Sequence, residues 1–247
     1  MWDHVTLRAT DLDASATFYD TVLRTLGVER THTADWLIEW DQFSLSPANA
    51  DKPATRGLHI GFTAPTREHV HAFWQAGVDA GYRDDGEPGL RPEYGPDYYG
   101  GFLLDPDGNS AEAVHHDLVA DRDLIDHLWI RVADVAAATA YYATIAPHTG
   151  APLANEPEGR AHFAGRGSFS VVDGTPTEHL HMAFPAADRA AVEAFHRTAV
   201  EAGYRDNGAP GERPEYHAGY YGAFVLDPDG NNIEAVFHDR GSIAGSP

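Results

Sequence analysis

Cysteine is absent from this 247-residue chain, and lysine occurs once. Without cysteine there can be no disulfide, no thiolate nucleophile and no Cys-ligated zinc or iron–sulfur centre. The lysine, Lys52, sits in the turn-like run Asn-Ala-Asp-Lys-Pro, a poor setting for the desolvated amine of a Schiff-base mechanism. Positive charge is scarce altogether: 17 Lys and Arg stand against 38 Asp and Glu, a formal net charge of −21. A field of that sign repels phosphate backbones and anionic headgroups, so neither nucleic acid nor membrane is an expected partner. No apolar run approaches the roughly 18 residues of a membrane span, and Met1-Trp2-Asp3-His4 lacks the basic-then-apolar order of a secretory leader. The expectation is a soluble, cytoplasmic protein.

With 43% hydrophobic and 11% aromatic residues, the chain can bury one large or two small cores. Its chemical resource is 15 histidines. Self-similarity organises the sequence: Ala80–Asp117 and Ala202–Asp239 align without gaps at an offset of 122, with about 27 of 38 positions identical. Asp3-His4-Val5-Thr6-Leu7-Arg8 likewise matches Asp126-His127-Leu128-Trp129-Ile130-Arg131. The chain reads as two copies, modules 1–118 and 124–240, joined by a charged connector near Leu118 to Ile125 and followed by a flexible tail, 241–247.

Within each copy the hydrophobic period switches twice. Residues 4–8 alternate as a strand; Asp13 is placed to cap a helix whose Phe18, Val22 and Leu26 recur on one face and which Gly27 can end. Strand-like runs follow at 36–40 and 43–46. The cycle restarts with a strand at 58–63, a helix opened by Thr66 or a neighbour and carrying Val70, Phe73 and Trp74, and two strands flanking Asp105-Pro106-Asp107-Gly108, a hairpin turn. Each copy therefore holds two strand–helix–strands units, four in the chain.

Alternate strand residues share a face, so His4, Thr6 and Arg8 project together, as do His59, Gly61 and Thr63, while Glu112 lies on the second hairpin strand. Converging on one concave sheet, His4, His59 and Glu112 would make a two-histidine, one-carboxylate set suited to a divalent transition metal. The duplicate offers His127, His181 and Glu234. A lone strand histidine is more often a surface or core residue than a ligand, but Val5-Thr6-Leu7 has diverged to Leu128-Trp129-Ile130 while the flanking histidine and arginine stayed.

The runs His4-Val-Thr-Leu-Arg with Asp11-Leu12, Phe18-Tyr19, Leu58-His59-Ile60-Gly61-Phe62 and Phe102-Leu-Leu-Asp-Pro-Asp-Gly-Asn-Ser-Ala-Glu112 resemble the vicinal oxygen chelate superfamily of glyoxalases, bleomycin-resistance proteins and extradiol dioxygenases. The resemblance implies an α+β fold: four βαβββ units in two tandem glyoxalase-like modules that form cup-shaped mixed sheets and pair with each other, as monomer or homodimer. It also implies a divalent metal (Fe, Mn, Zn, Ni or Co) at His4, His59 and Glu112 and at His127, His181 and Glu234, and leaves open whether the ligands of one site come from one copy or are exchanged.

Departures from the family narrow the chemistry. Ser44 and Ser170 stand nearest to the fourth, glutamate ligand of glyoxalase I. The acid–base histidine and tyrosine of extradiol enzymes map onto His217 and Phe224 in the second copy, but onto Gly95 and Phe102 in the first. Arg8 and Arg131 share the ligand-bearing face, either to hold an anionic substrate group or to pair with a nearby carboxylate. Tyr94, Tyr98 and Tyr99, with Tyr216, Tyr220 and Tyr221, form either a lid or loop packing; His115, His116 and His238 read as strand-end surface residues. The first expectation is a metal-dependent enzyme acting on a small oxygen-rich molecule by lyase- or isomerase-type chemistry. The alternatives are an iron(II) extradiol dioxygenase and a metal-free protein that sequesters a small molecule, in the manner of bleomycin resistance.

Overall fold

The computed structural model describes residues 1–116, 123–165 and 167–239. Most of the expected connector and the tail 241–247 lie outside these described residues. The order strand, helix, three strands occurs four times. The first repeat is β1 (His4–Ala9), α1 (Leu12–Leu23), β2 (His32–Ala34), β3 (Leu37–Trp40) and β4 (Phe43–Pro47). The second is β5 (His59–Thr63), α2 (Arg67–Asp79), β6 (Arg83–Leu90), β7 (Tyr99–Leu104) and β8 (Ser110–His115). The third is β9 (Ile125–Val132), α3 (Val135–Thr149), β10 (Leu153–Asn155), β11 (Arg160–Ala164) and β12 (Ser168–Asp173). The fourth is β13 (His181–Pro185), α4 (Arg189–Glu201), β14 (Asp206–Glu212), β15 (Tyr220–Leu226) and β16 (Asn232–His238). Their hydrogen bonds make two eight-stranded mixed sheets, ordered β14-β15-β16-β13-β1-β4-β3-β2 and β10-β11-β12-β9-β5-β8-β7-β6.

The compact units of the chain are not the two sequence copies. Unit 1 is Met1–Val5, Val132–Pro176 and His181–Pro247; unit 2 is Thr6–Arg131 and Thr177–Leu180. The beginning of β1, with His4, thus belongs to the unit built from the second copy, and most of β9, with His127, to the unit built from the first.

In unit 2, β5 pairs with β8 in parallel, setting His59 opposite Ser110 and Gly61 opposite Glu112, and with β9 antiparallel, setting Gly61 opposite His127. Helix α1 is capped by Asp11, whose carboxylate accepts from Ala14 N, rather than by Asp13. Asp13 falls in the first turn, where its charge favours the helix dipole. Tyr19 packs among Trp40, Phe43 and Phe62 in a fully buried core, and its hydroxyl donates to Asp105. The buried Asp105 also accepts from Asp107 N, Asn109 N and Asn109 Nδ2. Gly108, at φ 86°, completes the turn. This satisfied carboxylate pins the β7–β8 hairpin and with it the position of Glu112.

Unit 1 repeats the device. Tyr142, against Phe163 and Phe169, donates to Asp227, which accepts from Asp229 N, Asn231 N and Asn231 Nδ2. There β13 pairs with β16 in parallel, with His181 opposite Asn232 and Ala183 opposite Glu234. The most repetitive motif of the sequence is therefore structural: it aims the two glutamates.

Candidate metal centres

Two three-residue groups among the described residues bring ligand atoms within 4.8 Å of one another: His59, Glu112 and His127 in unit 2, and His4, His181 and Glu234 in unit 1. The grouping corrects the expectation of one site per copy. His4 joins His181 and Glu234, and His127 joins His59 and Glu112, because each first strand begins in the unit built around the other copy.

In unit 2, His59 Nε2 lies 3.0 Å from Glu112 Oε2 and 3.2 Å from His127 Nε2, and His127 Nε2 lies 3.3 Å from Glu112 Oε2. The outer nitrogens define the tautomers. His127 Nδ1 donates to Asp126 Oδ2 (2.8 Å). His59 Nδ1 donates to Ser110 Oγ (3.1 Å), whose own proton goes to Asp85 Oδ2 (2.7 Å). Both Nε2 atoms therefore turn inward, and outer partners of this kind hold ligand imidazoles in place. Close approach is built into the strands: a Cβ at Gly61 would overlap the His127 ring, and one at Gly100 would overlap Glu112 Oε1.

Unit 1 has the same plan with looser geometry. His4 Nε2 is 3.0 Å from His181 Nε2 and 3.7 Å from Glu234 Oε2; His181 Nε2 is 3.2 Å from that oxygen. His4 Nδ1 meets Asp3 Oδ1 at 2.8 Å. Glu234 is buried, yet its Oε2 has no hydrogen-bond partner. An orphaned buried carboxylate oxygen is costly, and this one faces two imidazole nitrogens. A divalent cation with two N ligands and one O ligand fits both groups, with positions left for water or substrate.

The electrostatics follow from burial and partners. Burial raises Glu112, but hydrogen bonds from His127 and His59 outweigh it and hold the carboxyl below its usual range. Burial alone would lower His127, but its bonds to Asp126 and Glu112 push it up to about 10. A proton there occupies the place of a cation. Burial lowers His59. In unit 1, burial raises Glu234 to about 7, against the opposing pull of His4 and Tyr220.

Tyr98 and Tyr220, left between lid and packing by the sequence, donate to the glutamates. Tyr98 Oη lies 2.9 and 3.0 Å from the two Glu112 oxygens, and Tyr220 Oη 2.7 Å from Glu234 Oε1. A phenol thus reaches each cluster even though Phe102 and Phe224 occupy the expected position. Ser44 bonds Thr6 (2.7 Å) and Ser170 bonds His162 (3.1 Å); neither serine is in a ligand group. Arg8 donates to the His179 carbonyl and Arg131 to the Gly57 carbonyl, and Arg131 bears electrostatically on His59. His217 is exposed, 2.8 Å from His238 Nδ1, with its ring edge-on to Tyr220.

The residues missed from sequence stand one bond further out. His116 and His238, read as surface residues, bond Asp126 Oδ1 (2.9 Å) and Asp3 Oδ2 (3.0 Å), the same carboxylates that hold His127 and His4. Burial would raise those two carboxyls, but the paired histidines hold both well below the usual range. A signal was available: an aspartate directly precedes the first-strand histidine in both copies.

Residues 2–113 match the model of the Glyoxalase/Bleomycin resistance protein/Dioxygenase superfamily. No curated protein matches the chain. Among solved structures, glyoxalase I from Zea mays is 18% identical, with a TM-score of 0.69 over 98% of this chain and 94% of that one. A dioxygenase candidate from Bacillus subtilis is 13% identical, with a TM-score of 0.65 over 96% and 85%. A glyoxalase/bleomycin resistance protein from Albidiferax ferrireducens is 31% identical over 47% of this chain and 99% of its own, with a TM-score of 0.41. Among the described residues no helix is long and apolar enough to cross a membrane.

Proposed function

Because residues 2–113 place this chain in the Glyoxalase/Bleomycin resistance protein/Dioxygenase superfamily, we propose that it is a divalent-metal-dependent enzyme that acts on a small oxygen-rich molecule by lyase- or isomerase-type chemistry. The observation that carries the reading is the convergence of two inward Nε2 atoms and one glutamate oxygen in each group, most plainly where Glu234 Oε2 is buried without a partner. His59, Glu112 and His127 would hold one ion, and His4, His181 and Glu234 the other. A bound cation supplies Lewis acidity, polarising a carbonyl or stabilising an enolate. The chain supplies the orientation: Asp126 and Asp3 fix the first-strand imidazoles, while Tyr98 and Tyr220 hold the glutamates. In unit 2, Trp129 and Phe102 flank His59 at ring distances of 5.7 and 5.9 Å, an apolar wall that limits water.

Non-oxidative chemistry ranks above ring cleavage because the phenols that reach the clusters are committed as donors to Glu112 and Glu234. Sequestration without metal ranks below both, since a storage pocket has no use for an orphaned carboxylate oxygen. Protein purified without chelator should contain up to about two divalent ions per chain, and His59→Ala and His181→Ala should each remove about one. Turnover of 2-oxo or epoxide substrates under argon supports the reading. Stoichiometric oxygen uptake with a catechol, giving a ring-opened product, replaces it with the dioxygenase; a chain that binds no metal replaces it with sequestration.

A further inference from the structure

The two groups share three ligand types but not their surroundings. Behind His59 stand Ser110 and Asp85; at the equivalent positions behind His181 stand Asn232 and Asn207. Ser110 gives its proton to Asp85, so toward His59 it can only accept, which keeps the proton on His59 Nδ1 and the Nε2 lone pair inward. Asn232 accepts from Asn207 Nδ2 through its Oδ1 and turns its Nδ2 to His181 Nδ1 at 2.8 Å; an amide nitrogen only donates, so His181 Nδ1 accepts and the ring proton sits on Nε2, facing the cluster. A carboxylate behind the ligand has also become a neutral amide.

The first-strand histidines differ as well. Opposite His127 the backbone carries Gly61, and the ring settles where a Cβ would be. At the matching position in unit 1 is Ala183. His4 keeps 22% of its side chain exposed against 7% for His127, and stands 3.7 Å rather than 3.3 Å from its glutamate oxygen. Behind Asp3 there is a further difference. His217 Nδ1 meets the Ala218 carbonyl, His217 Nε2 meets His238 Nδ1, and His238 Nε2 meets Asp3 Oδ2. A second histidine thus stands behind the one that holds Asp3. Unit 2 has Gly95 in place of His217.

We infer that the two centres are unequal cation sites, and that the His59–Glu112–His127 centre of unit 2, with its ligands deprotonated, binds a divalent ion more tightly. The inference rests on the metal-site reading above. Its geometric basis is an inward lone pair on His59 backed by a carboxylate and a His127 ring seated against Gly61 in unit 2, against an inward proton on His181 backed by amides and a more exposed, more distant His4 in unit 1. Outer partners of ligand imidazoles change metal affinity by about ten- to a hundredfold, and both Asp85 and Asn207 are exposed, so the difference between sites belongs at the lower end of that range.

The test is calorimetric titration of chelator-treated full-length protein with Mn(II), each affinity corrected for the protons released in its step. Two steps separated by about tenfold or more are expected. His59→Ala should abolish the tight step and His181→Ala the weak one. Asp85→Asn, at an exposed position that leaves the fold intact, should weaken only the tight step, and Asn207→Asp combined with Asn232→Ser should strengthen only the weak one. Two equal steps, or loss of the weak step in His59→Ala, overturn the inference while leaving the metal-site reading intact. No binding at either centre overturns both.

Discussion

A single missing methyl group decides how deep the first-strand histidine sits. Gly61 has no Cβ, and the His127 ring occupies the space; Ala183 has one, and His4 stands further out. Gly61→Ala should therefore cost about 1–3 kcal/mol through overpacking and lower Mn(II) affinity at the unit 2 centre alone, read by denaturant titration and calorimetry on the same variant. Ala183→Gly should cost only about 0.5–1 kcal/mol, the backbone penalty of glycine in a strand, and leave the unit 2 centre untouched. Equal metal affinity in wild type and Gly61→Ala would remove the close approach as a cause. Tyr220 acts through a different bond. It donates to Glu234 Oε1, which helps the carboxylate form against its burial. Tyr220→Phe should push the Glu234 carboxyl above its present value of about 7, as followed by carbon-13 carboxyl shifts.

At the scale of elements, helix starts separate by their caps. Asp11 accepts from Ala14 N, whereas Thr66 makes no side-chain cap bond and instead lies 3.0 Å from His69 Nδ1. Asp11→Ala should cost about 1 kcal/mol, and Thr66→Ala much less, both measured as a shift in denaturation midpoint. Asp11 and Asp13 look alike to a propensity argument; backbone geometry separates them, extended at Asp11 and helical after it. Strands β1, β5 and β8, helices α1 and α2 and the hairpin turn were legible because their apolar positions recur at periods of 2 and 3.6. Strand β6 was not: Arg-Asp-Asp-Gly-Glu-Pro-Gly-Leu carries no alternation, and its ladder to β7 is twice interrupted by register shifts. All six residues of the two clusters were legible, but their partition was not. His59 and His127 meet because β5 pairs with β9, and which long-range pairing forms cannot be read from strands of similar pattern.

At the scale of the whole molecule, ligand-free clusters make stability depend on pH from both sides. Asp3, Asp126 and Glu112 have folded pKa values below their unfolded ones. Their contribution is present above about pH 4 and lost as pH falls through the folded values. His127 is raised from 6.5 to about 10 and Glu234 from 4.5 to about 7. These two favour the folded state fully below their unfolded values, and the benefit drains away as pH rises through about 7 for Glu234 and about 10 for His127. Ligand-free protein should thus be most stable in mildly acid solution and should weaken toward alkaline pH. On the metal-site reading, a divalent cation would take the place of the His127 proton and draw the remaining proton from Glu234, so loading would release protons. Calorimetry of Mn(II) binding at pH 8, repeated in buffers of different ionisation enthalpy, should count about one proton released at the unit 2 centre, where His127 is still protonated, and far less at the unit 1 centre, where Glu234 is already largely ionised. Filling the unit 2 centre without proton release would mean that His127 is neutral in the empty site and that its carboxylate neighbours do not hold a proton there.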